Sequence, residues 1–281
     1  FGGTIASLRF GSSNVNYVTT IAGTLNVTGA GGLRVGTPGD PVSVAYVRSN
    51  VIAGAGATLS MNNPAANLVL NQGANTANGS RAILNLEGLD NFTANIRGIG
   101  IGTVSYANTV AQRNSGILYL AKTNLITLSH ALPLSTYLTL GGATNAIEMV
   151  QVGAGNNAGV LSILYLGQTN AIFVDSLGIG RSKASTSSSA SILFNPAFAS
   201  PSAYFRASGG AASRVTWWGL GDMSASASSA QHAVGTNNFT GGTVDALVET
   251  MSLGRDCTAN HTASGTARIN TEFYAKLFSR L

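Results

Sequence analysis

Apolar and polar residues alternate along most of this chain, and three stretches repeat the alternation almost as copies. They are residues 118–126 (LYLAKTNLI), 138–147 (LTLGGATNAI) and 164–172 (LYLGQTNAI). Each contains a short alternating strand, a corner with Gly or Ala, the pair Thr-Asn, and a second apolar strand. Alternation with a period of two predicts β-strands that bury one face. The sequence therefore predicts an all-β protein.

The spacing of these copies indicates how the strands are organised. The Thr-Asn pair recurs at Thr123, Thr144 and Thr169. Repeats with periods of about 20–50 residues are typical of stacked architectures, in which one repeat cannot bury its apolar face alone. The steps between these three positions lie near the short end of this range and show no helical pattern. They predict one coil of a parallel β-solenoid, or β-helix, with irregular coils.

The repeat positions predict which side chains face inward. We expect leucines at equivalent positions to form buried columns, namely Leu118, Leu120, Leu138, Leu140, Leu164 and Leu166. Asparagine tolerates the left-handed conformation of corners and bonds to its own backbone. We therefore expect Asn124, Asn145 and Asn170 to lie at equivalent corners of successive coils, as a structural amide ladder.

Composition divides the chain into three parts. Residues 1–182 alternate strand-like pieces with Gly-rich corners, and we expect them to form the solenoid coils. Residues 183–235 contain two serine-rich stretches and, between them, a concentration of aromatic residues, which predicts enlarged loops or a side lobe. Residues 236–281 are predicted to return to the coil pattern. The apolar spacing over 271–281 favours a short helix that caps the open sheet edge, with a tail or final strand as the alternative.

The composition narrows the classes of function. Only 9% of the residues are charged, against about 25% in ordinary soluble domains, so the surface must consist of Ser, Thr, Asn and Gly. Such surfaces are typical of extracellular β-proteins and of subunits covered by neighbours. The net charge of +5 comes from dispersed residues rather than a basic run, so we expect no nucleic-acid binding. No apolar stretch reaches the roughly 18 residues of a membrane span.

Two further features concern processing and cross-linking. Cys257 is the single cysteine, so no disulfide can form within the chain. The sequence begins at Phe1 and carries no signal peptide, which predicts a processed or truncated form.

Several segments resemble a known family of repeats. Residues 163–181 (ILYLGQTNAIFVDSLGIGR), together with residues 23–27 (GTLNV) and 32–36 (GLRVG), are similar to the autotransporter-associated β-strand repeats of large secreted bacterial proteins. The similarity covers about half of the chain in scattered pieces. It implies a right-handed parallel β-helix displayed outside the cell, often as an adhesin or a structural stalk. The motif residues are strand and corner residues, so the resemblance concerns architecture more than function.

Motifs of the common enzyme classes are absent from the sequence. It has no Gly-x-Ser-x-Gly elbow, no phosphate-binding loop and no His-Glu-x-x-His helix, and its three histidines are far apart. We therefore expect neither a metal nor a cofactor. Parallel β-helices also include polysaccharide lyases and hydrolases, and glycoside hydrolysis needs two carboxylates about 5–10 Å apart. The acid pairs closest in sequence are Glu87 with Asp90 and Asp245 with Glu249, whereas Glu148 and Asp175 are a candidate pair because they follow Asn145 and Asn170 in adjacent predicted coils.

The aromatic region offers a weak candidate for binding. Tyr204, Phe205, Trp217 and Trp218 lie close together in the sequence, with Arg206 and Arg214 nearby. Aromatic and arginine side chains are enriched in contact surfaces, so this group is a candidate sugar-stacking platform or protein-contact patch. The alternative is that these side chains form the private core of an enlarged loop.

Taken together, the sequence predicts a non-enzymatic structural or adhesive β-solenoid that is extracellular or on the cell surface. Self-assembly into a fibre is one form of this role, because the open ends of a solenoid template further strands. The expected partners are head-to-tail copies or neighbouring segments of a longer chain, with surface glycans as a further possibility. The alternative function is a carbohydrate-active β-helix enzyme or a carbohydrate-binding module.

Overall fold

The computed structural model of the protein is all-β, and every strand pairing in its described part is parallel. The structure describes residues 1–11, 15–36, 47–70, 80–102, 114–128, 150–152, 161–181, 188–222, 232–255 and 262–268. These residues contain no helix, and hence no helix that is long and apolar enough to cross a membrane.

The strands have lengths between three and 24 residues. They are β1 (Gly3–Phe10), β2 (Tyr17–Thr20), β3 (Thr24–Val35), β4 (Val47–Leu70), β5 (Ser80–Asn85), β6 (Leu89–Ile101), β7 (Asn114–Tyr119), β8 (Thr123–Leu128), β9 (Val150–Val152), β10 (Ser162–Leu166), β11 (Thr169–Phe173), β12 (Ser176–Arg181), β13 (Ser188–Phe194), β14 (Ser202–Arg206), β15 (Val215–Asp222), β16 (His232–Asn238), β17 (Thr243–Ala246), β18 (Val248–Arg255) and β19 (Thr262–Arg268).

The pairings form three parallel ladders. Ladder 1 runs through β2, the start of β4, β5, β7, β10, β13, β16 and β19. Ladder 2 runs through the first halves of β1 and β3, the middle of β4, the first half of β6, and then β8, β11, β14 and β17. Ladder 3 runs through the second halves of β1 and β3, the ends of β4 and β6, and then β9, β12, β15 and β18.

The chain visits the ladders in a fixed order, so β10, β11 and β12 are followed by β13, β14 and β15 in the same positions. Facing residues of neighbouring strands are 33 positions apart for Asn62 and Asn95, and 46 apart for Asn124 and Asn170. For these pairs the step is longer than the one predicted from Thr123, Thr144 and Thr169. We call one strand in each of the three ladders, with its connections, one passage of the chain. The short sequence motif covers two of these strands and does not include the third.

The apolar side chains form inward-facing columns along the ladders. Leu118, Leu120, Leu164 and Leu166 are at most 2% exposed, and Leu118 pairs in register with Leu164. Their predicted burial is confirmed, while Leu138 and Leu140 lie outside the described residues. These columns join a single cluster that extends over the described part of the chain. A side-chain period of two places the polar residues between them on the outside.

Residues 183–235 are predicted from the sequence to form enlarged loops or a side lobe. The strands described in this range are β13, β14, β15 and the start of β16, and they continue the three ladders in register. Phe205 follows Ile172 in an inward column, and Trp218 follows Leu177. Large rings are accommodated in the same core that leucine and isoleucine fill elsewhere. In the range 236–281, β17, β18 and β19 continue the ladders, whereas the predicted helix over 271–281 lies outside the described residues.

Glycines mark the end of ladder 3 in successive passages. Gly180 and Gly221 each follow an inward residue of this ladder and have φ angles of +69° and +66°. A Cβ atom at Gly180 would overlap the carbonyl oxygen of Val234, which lies on β16 of ladder 1. Only glycine combines the left-handed conformation with this close approach. The sequence endings Leu177-Gly-Ile-Gly and Ser252-Leu-Gly therefore reflect one repeated corner.

We expect Leu166→Ala to lower the free energy of unfolding by about 2–5 kcal/mol, because it leaves a cavity in a fully buried column. Denaturant-induced unfolding measures this change. Leu125→Ala is the matched control, since Leu125 lies on the outer face of β8 and is 49% exposed. That change should cost no more than about 0.5 kcal/mol. Equal losses for the two variants would contradict the inward column.

Candidate functional site

Three of the four aromatic residues predicted to form a contact platform are buried. Phe205, Trp217 and Trp218 are at most 1% exposed. The ring of Trp218 packs edge-on against Phe205, with centroids 4.8 Å apart, and lies 6.2 Å from Phe239. The indole nitrogen of Trp217 donates to the hydroxyl of Ser252 at 3.2 Å. Phe205 and Trp218 belong to the core cluster, and Trp217 is buried outside that cluster with its ring over Gly219, so these three rings are not accessible for stacking on a sugar.

Tyr204 lies instead in a groove on the outer face of ladder 2. The groove has a volume of about 920 Å³ and crosses the three neighbouring strands β11, β14 and β17. Arg206 and Arg214, the two arginines next to the predicted platform, also line it. The outward residues of its floor form two columns across these strands, namely Thr169, Ser202 and Thr243, and Ala171, Tyr204 and Asp245.

Arg206 is buried at the edge of this groove. One nitrogen of its guanidinium, Nη2, forms an ion pair with the carboxylate of Asp245 and donates to both carboxylate oxygens, at 2.9 and 3.0 Å. The guanidinium also donates to the carbonyl oxygens of Phe205 at 2.8 Å, Asp245 at 3.1 Å and Ala211 at 2.9 Å. The guanidinium carbon lies 3.9 Å from the centre of the Tyr204 ring. Because these contacts use the fork geometry of arginine, lysine cannot replace it.

These contacts hold a turn segment, residues 207–214, against ladder 2. The carbonyl of Ala211 accepts from both Arg206 and the hydroxyl of Tyr204, the latter at 3.4 Å. At the other end of the segment, the carboxylate of Asp175 accepts from the main-chain NH and the hydroxyl of Ser208 at 2.8–3.0 Å. The segment thus forms a fixed wall of the groove rather than a loose loop.

Two charged groups in the groove remain accessible. The side chain of Asp245 is 57% exposed although Arg206 fixes its orientation. Arg214 is half-buried and donates to the carbonyl oxygen of Val248 at 3.3 Å, and no carboxylate within the described ranges forms an ion pair with it. The site therefore offers an oriented acceptor, a guanidinium without an anionic partner, and a floor of hydroxyl groups.

Four of the acids considered for catalysis are engaged in structural contacts, whereas Glu249 is exposed. Asp175 binds Ser208 and Asp245 binds Arg206, while Asp90 accepts from the main-chain NH of Gly56. The carboxylate of Glu87 accepts from the amide of Asn195 at 2.8 Å. Glu148 lies outside the described residues. Where the structure describes the chain, no three His, Cys, Asp or Glu side chains are grouped as a metal site would require.

A second aromatic pair lies on the outer face of ladder 1. The rings of Tyr119 and Tyr165 are stacked, with centroids 4.4 Å apart and an angle of 9° between their planes. Burial raises the pKa of the Tyr119 phenol above its usual value, and the neighbouring Tyr165 and Glu87 act in the same direction. Because the facing surfaces of the two rings cover each other, this pair does not supply a flat platform for a ligand.

The asparagine pair is buried at a corner of the chain, where Asn170 also contributes to the lining of the groove. Asn124 and Asn170 face each other in register on β8 and β11, and both are 2% exposed. The amide of Asn124 donates to that of Asn170 at 2.9 Å, and Asn170 bonds to both the NH and the carbonyl of Gly167 at the corner. These bonds give the pair a structural role at the corner. Asn145 lies outside the described residues.

Sequence reasoning missed Asp245 as the partner of Arg206. The two residues are 39 positions apart, so no local pattern joins them. The signal that points to the pair is the spacing of the ladder, which places β17 directly beside β14. The shorter period of the Thr-Asn motif does not give that spacing.

No protein-family model matches the sequence, and neither a curated protein nor a solved structure matches it. The resemblance to autotransporter-associated repeats therefore stays a prediction. Interpretation of the groove rests on its own geometry.

We expect Arg206→Lys to release the segment 207–214. Lysine cannot keep the charge-assisted bond to the carbonyl of Ala211, which is worth about 1.5–3 kcal/mol, so amide exchange within this segment should be about 10–100 times faster. Hydrogen exchange followed by mass spectrometry measures it, with the exposed Arg9→Lys as the control. Unchanged exchange in 207–214 would contradict the role assigned to Arg206.

Proposed function

We propose that the protein is a parallel β-solenoid that serves as a non-enzymatic structural or adhesive scaffold, outside the cell or on its surface. The observation that carries this proposal is the in-register pairing of three ladders, each of which receives one strand from every passage of the chain. Parallel strands need long connections, and here the other two ladders supply them. A stack of this kind is rigid and extends by repetition, which suits a scaffold.

The outer surface supports the same role. Thr58, Asn91 and Thr123 follow one another in an outward column of ladder 2, and the amide of Asn95 donates to that of Asn62 at 3.2 Å in another. These columns contain short, uncharged polar side chains, in line with the low charge of the whole sequence. A scaffold that presents such a surface stays hydrated without a strong electrostatic potential of either sign.

The ends of the ladders support association with further strands. At one end β1 and β2, and at the other β17, β18 and β19, have a partner on one side within the described residues. Inward columns reach the surface there, since Met251 and Leu253 are 38% and 54% exposed. Trp218 and Leu220, which precede them in the same columns, are at most 1% exposed. Unpaired edges template another strand, so the proposed partners are a second copy or neighbouring segments of a longer chain.

Carbohydrate binding is the second candidate function, and the groove of ladder 2 is the observation that favours it. Its hydroxyl columns, exposed carboxylate and arginine suit a polyhydroxylated ligand. The acid in the groove, Asp245, is bound to Arg206 in a fixed pair, which supports binding rather than turnover. Release of reducing sugar from a polysaccharide by the purified protein would contradict the non-enzymatic role.

We expect the purified protein to associate end to end as its concentration rises, and Leu253→Lys to prevent this by placing a charge at the end of an inward column. Analytical ultracentrifugation measures the association. Val234→Lys is the control, because Val234 is 40% exposed but faces outward. Aligned assemblies should diffract at about 4.7–4.8 Å along their axis. A wild-type monomer at high concentration would contradict self-association.

A further inference from the structure

The groove of ladder 2 combines groups that fit one class of ligand. We propose that it binds a segment of an acidic polysaccharide, with Arg214 pairing with a glycan carboxylate while Asp245 and the floor hydroxyls bind sugar hydroxyl groups. This proposal specifies a ligand for the adhesive form of the proposed function. It rests on that function only because it takes the outer face of ladder 2 as the surface that contacts a partner.

Arg214 defines the acidic contact. The described residues give its guanidinium one hydrogen bond, to the carbonyl of Val248, and no carboxylate. Arg206, the other arginine in the groove, is neutralised by Asp245. The three charges of the groove therefore leave one positive charge, located at Arg214. A guanidinium binds carboxylates in a planar bidentate geometry, and this places a carboxyl-bearing sugar at the wall of the groove.

Asp245 supplies an acceptor that is already oriented. Arg206 holds its carboxylate through two bonds, and more than half of the side chain is exposed. A carboxylate accepts several hydrogen bonds at once, so the lone pairs that Arg206 leaves free are available to sugar hydroxyl donors. Because the orientation is fixed before binding, little conformational entropy is lost when the ligand arrives.

The floor suits a ligand that is rich in hydroxyl groups. Thr169, Ser202 and Thr243 form one column, and each hydroxyl both donates and accepts. Strands are about 4.8 Å apart, so the column spans about 10 Å across β11, β14 and β17. Short side chains along this column allow a chain of a few sugar units to lie flat against the sheet.

Other extended ligands fit the groove less well. The strands β11 and β14 are paired on both sides, so their main chains cannot take up a peptide as an added strand. Within the described residues β17 has an open edge, which is one of the edges that the proposed end-to-end association uses. A polynucleotide carries a phosphate on every unit and needs several free cations. In the described part of the groove, Arg214 is the single cation without a carboxylate partner.

The test uses the full chain and two probes that have the same sugars and differ in the charge of their carboxyl groups. One probe is a tetrasaccharide of alternating uronic acid and N-acetylhexosamine, and the other is the same tetrasaccharide with its carboxylates converted to methyl esters. Isothermal titration calorimetry gives the affinity of each probe for the wild type, for Arg214→Gln, and for Arg9→Gln. Arg9 is an exposed arginine on β1, away from the groove, and controls for the loss of one positive charge.

We expect the wild type to bind the acid about tenfold more tightly than the ester, and Arg214→Gln to bind the two probes equally, at the wild-type affinity for the ester. Retained ester binding would also demonstrate that the variant is folded. Arg9→Gln should match the wild type. The proposal is overturned if neither probe binds, if the two arginine variants lose affinity equally, or if Arg214→Gln keeps the preference for the acid.

Failure of this proposal is separate from failure of the scaffold role. The same titrations on Leu253→Lys, which carries the groove but is blocked at its end, report binding without association. Loss of binding with intact association would remove the glycan site alone. For the wild type, binding of the probe without end-to-end association would contradict the proposed self-association alone.

Discussion

In-register hydrogen bonding between one passage of the chain and the next is the interaction on which the rest of the structure depends. It aligns Leu118 with Leu164 and Asn124 with Asn170, so identical residues meet at these positions. A slip by a single residue would turn every buried leucine of a strand toward solvent. The alternation of the sequence therefore fixes both the core columns and the polar columns of the outer face.

Local alternation was enough to predict the strands and the burial of Leu118 and Leu164, because both depend on neighbouring residues. The step between passages could not be obtained in this way. The copies LYLAKTNLI and LYLGQTNAI are true equivalents on β7–β8 and β10–β11, yet Asn124 and Asn170 are 46 positions apart. The strands of ladder 3 differ in sequence from the motif, so the length of the motif does not give the step between passages.

The groove arises where this regularity is modified by one buried arginine. Alternation in β14 turns Phe205 inward and Tyr204 outward, and the following residue, Arg206, fastens the segment 207–214 above the sheet. The partner of Arg206 is Asp245 on the next strand of the ladder. A sequence window that contains both aromatic and basic residues does not show which of them are buried and which are exposed or ion-paired. The ion pair depends on strand neighbours that lie far apart in the chain.

The distance between Thr24 and Thr243 tests the ladder arrangement most directly. Both residues are exposed, and register places them in one column with Thr58, Asn91, Thr123, Thr169 and Ser202 between them. Six strand spacings predict a separation of about 29 Å. Pulsed electron paramagnetic resonance on spin labels at the two positions should give one narrow distribution close to this separation. A broad distribution, or one centred well above this value, would contradict the stacked ladders.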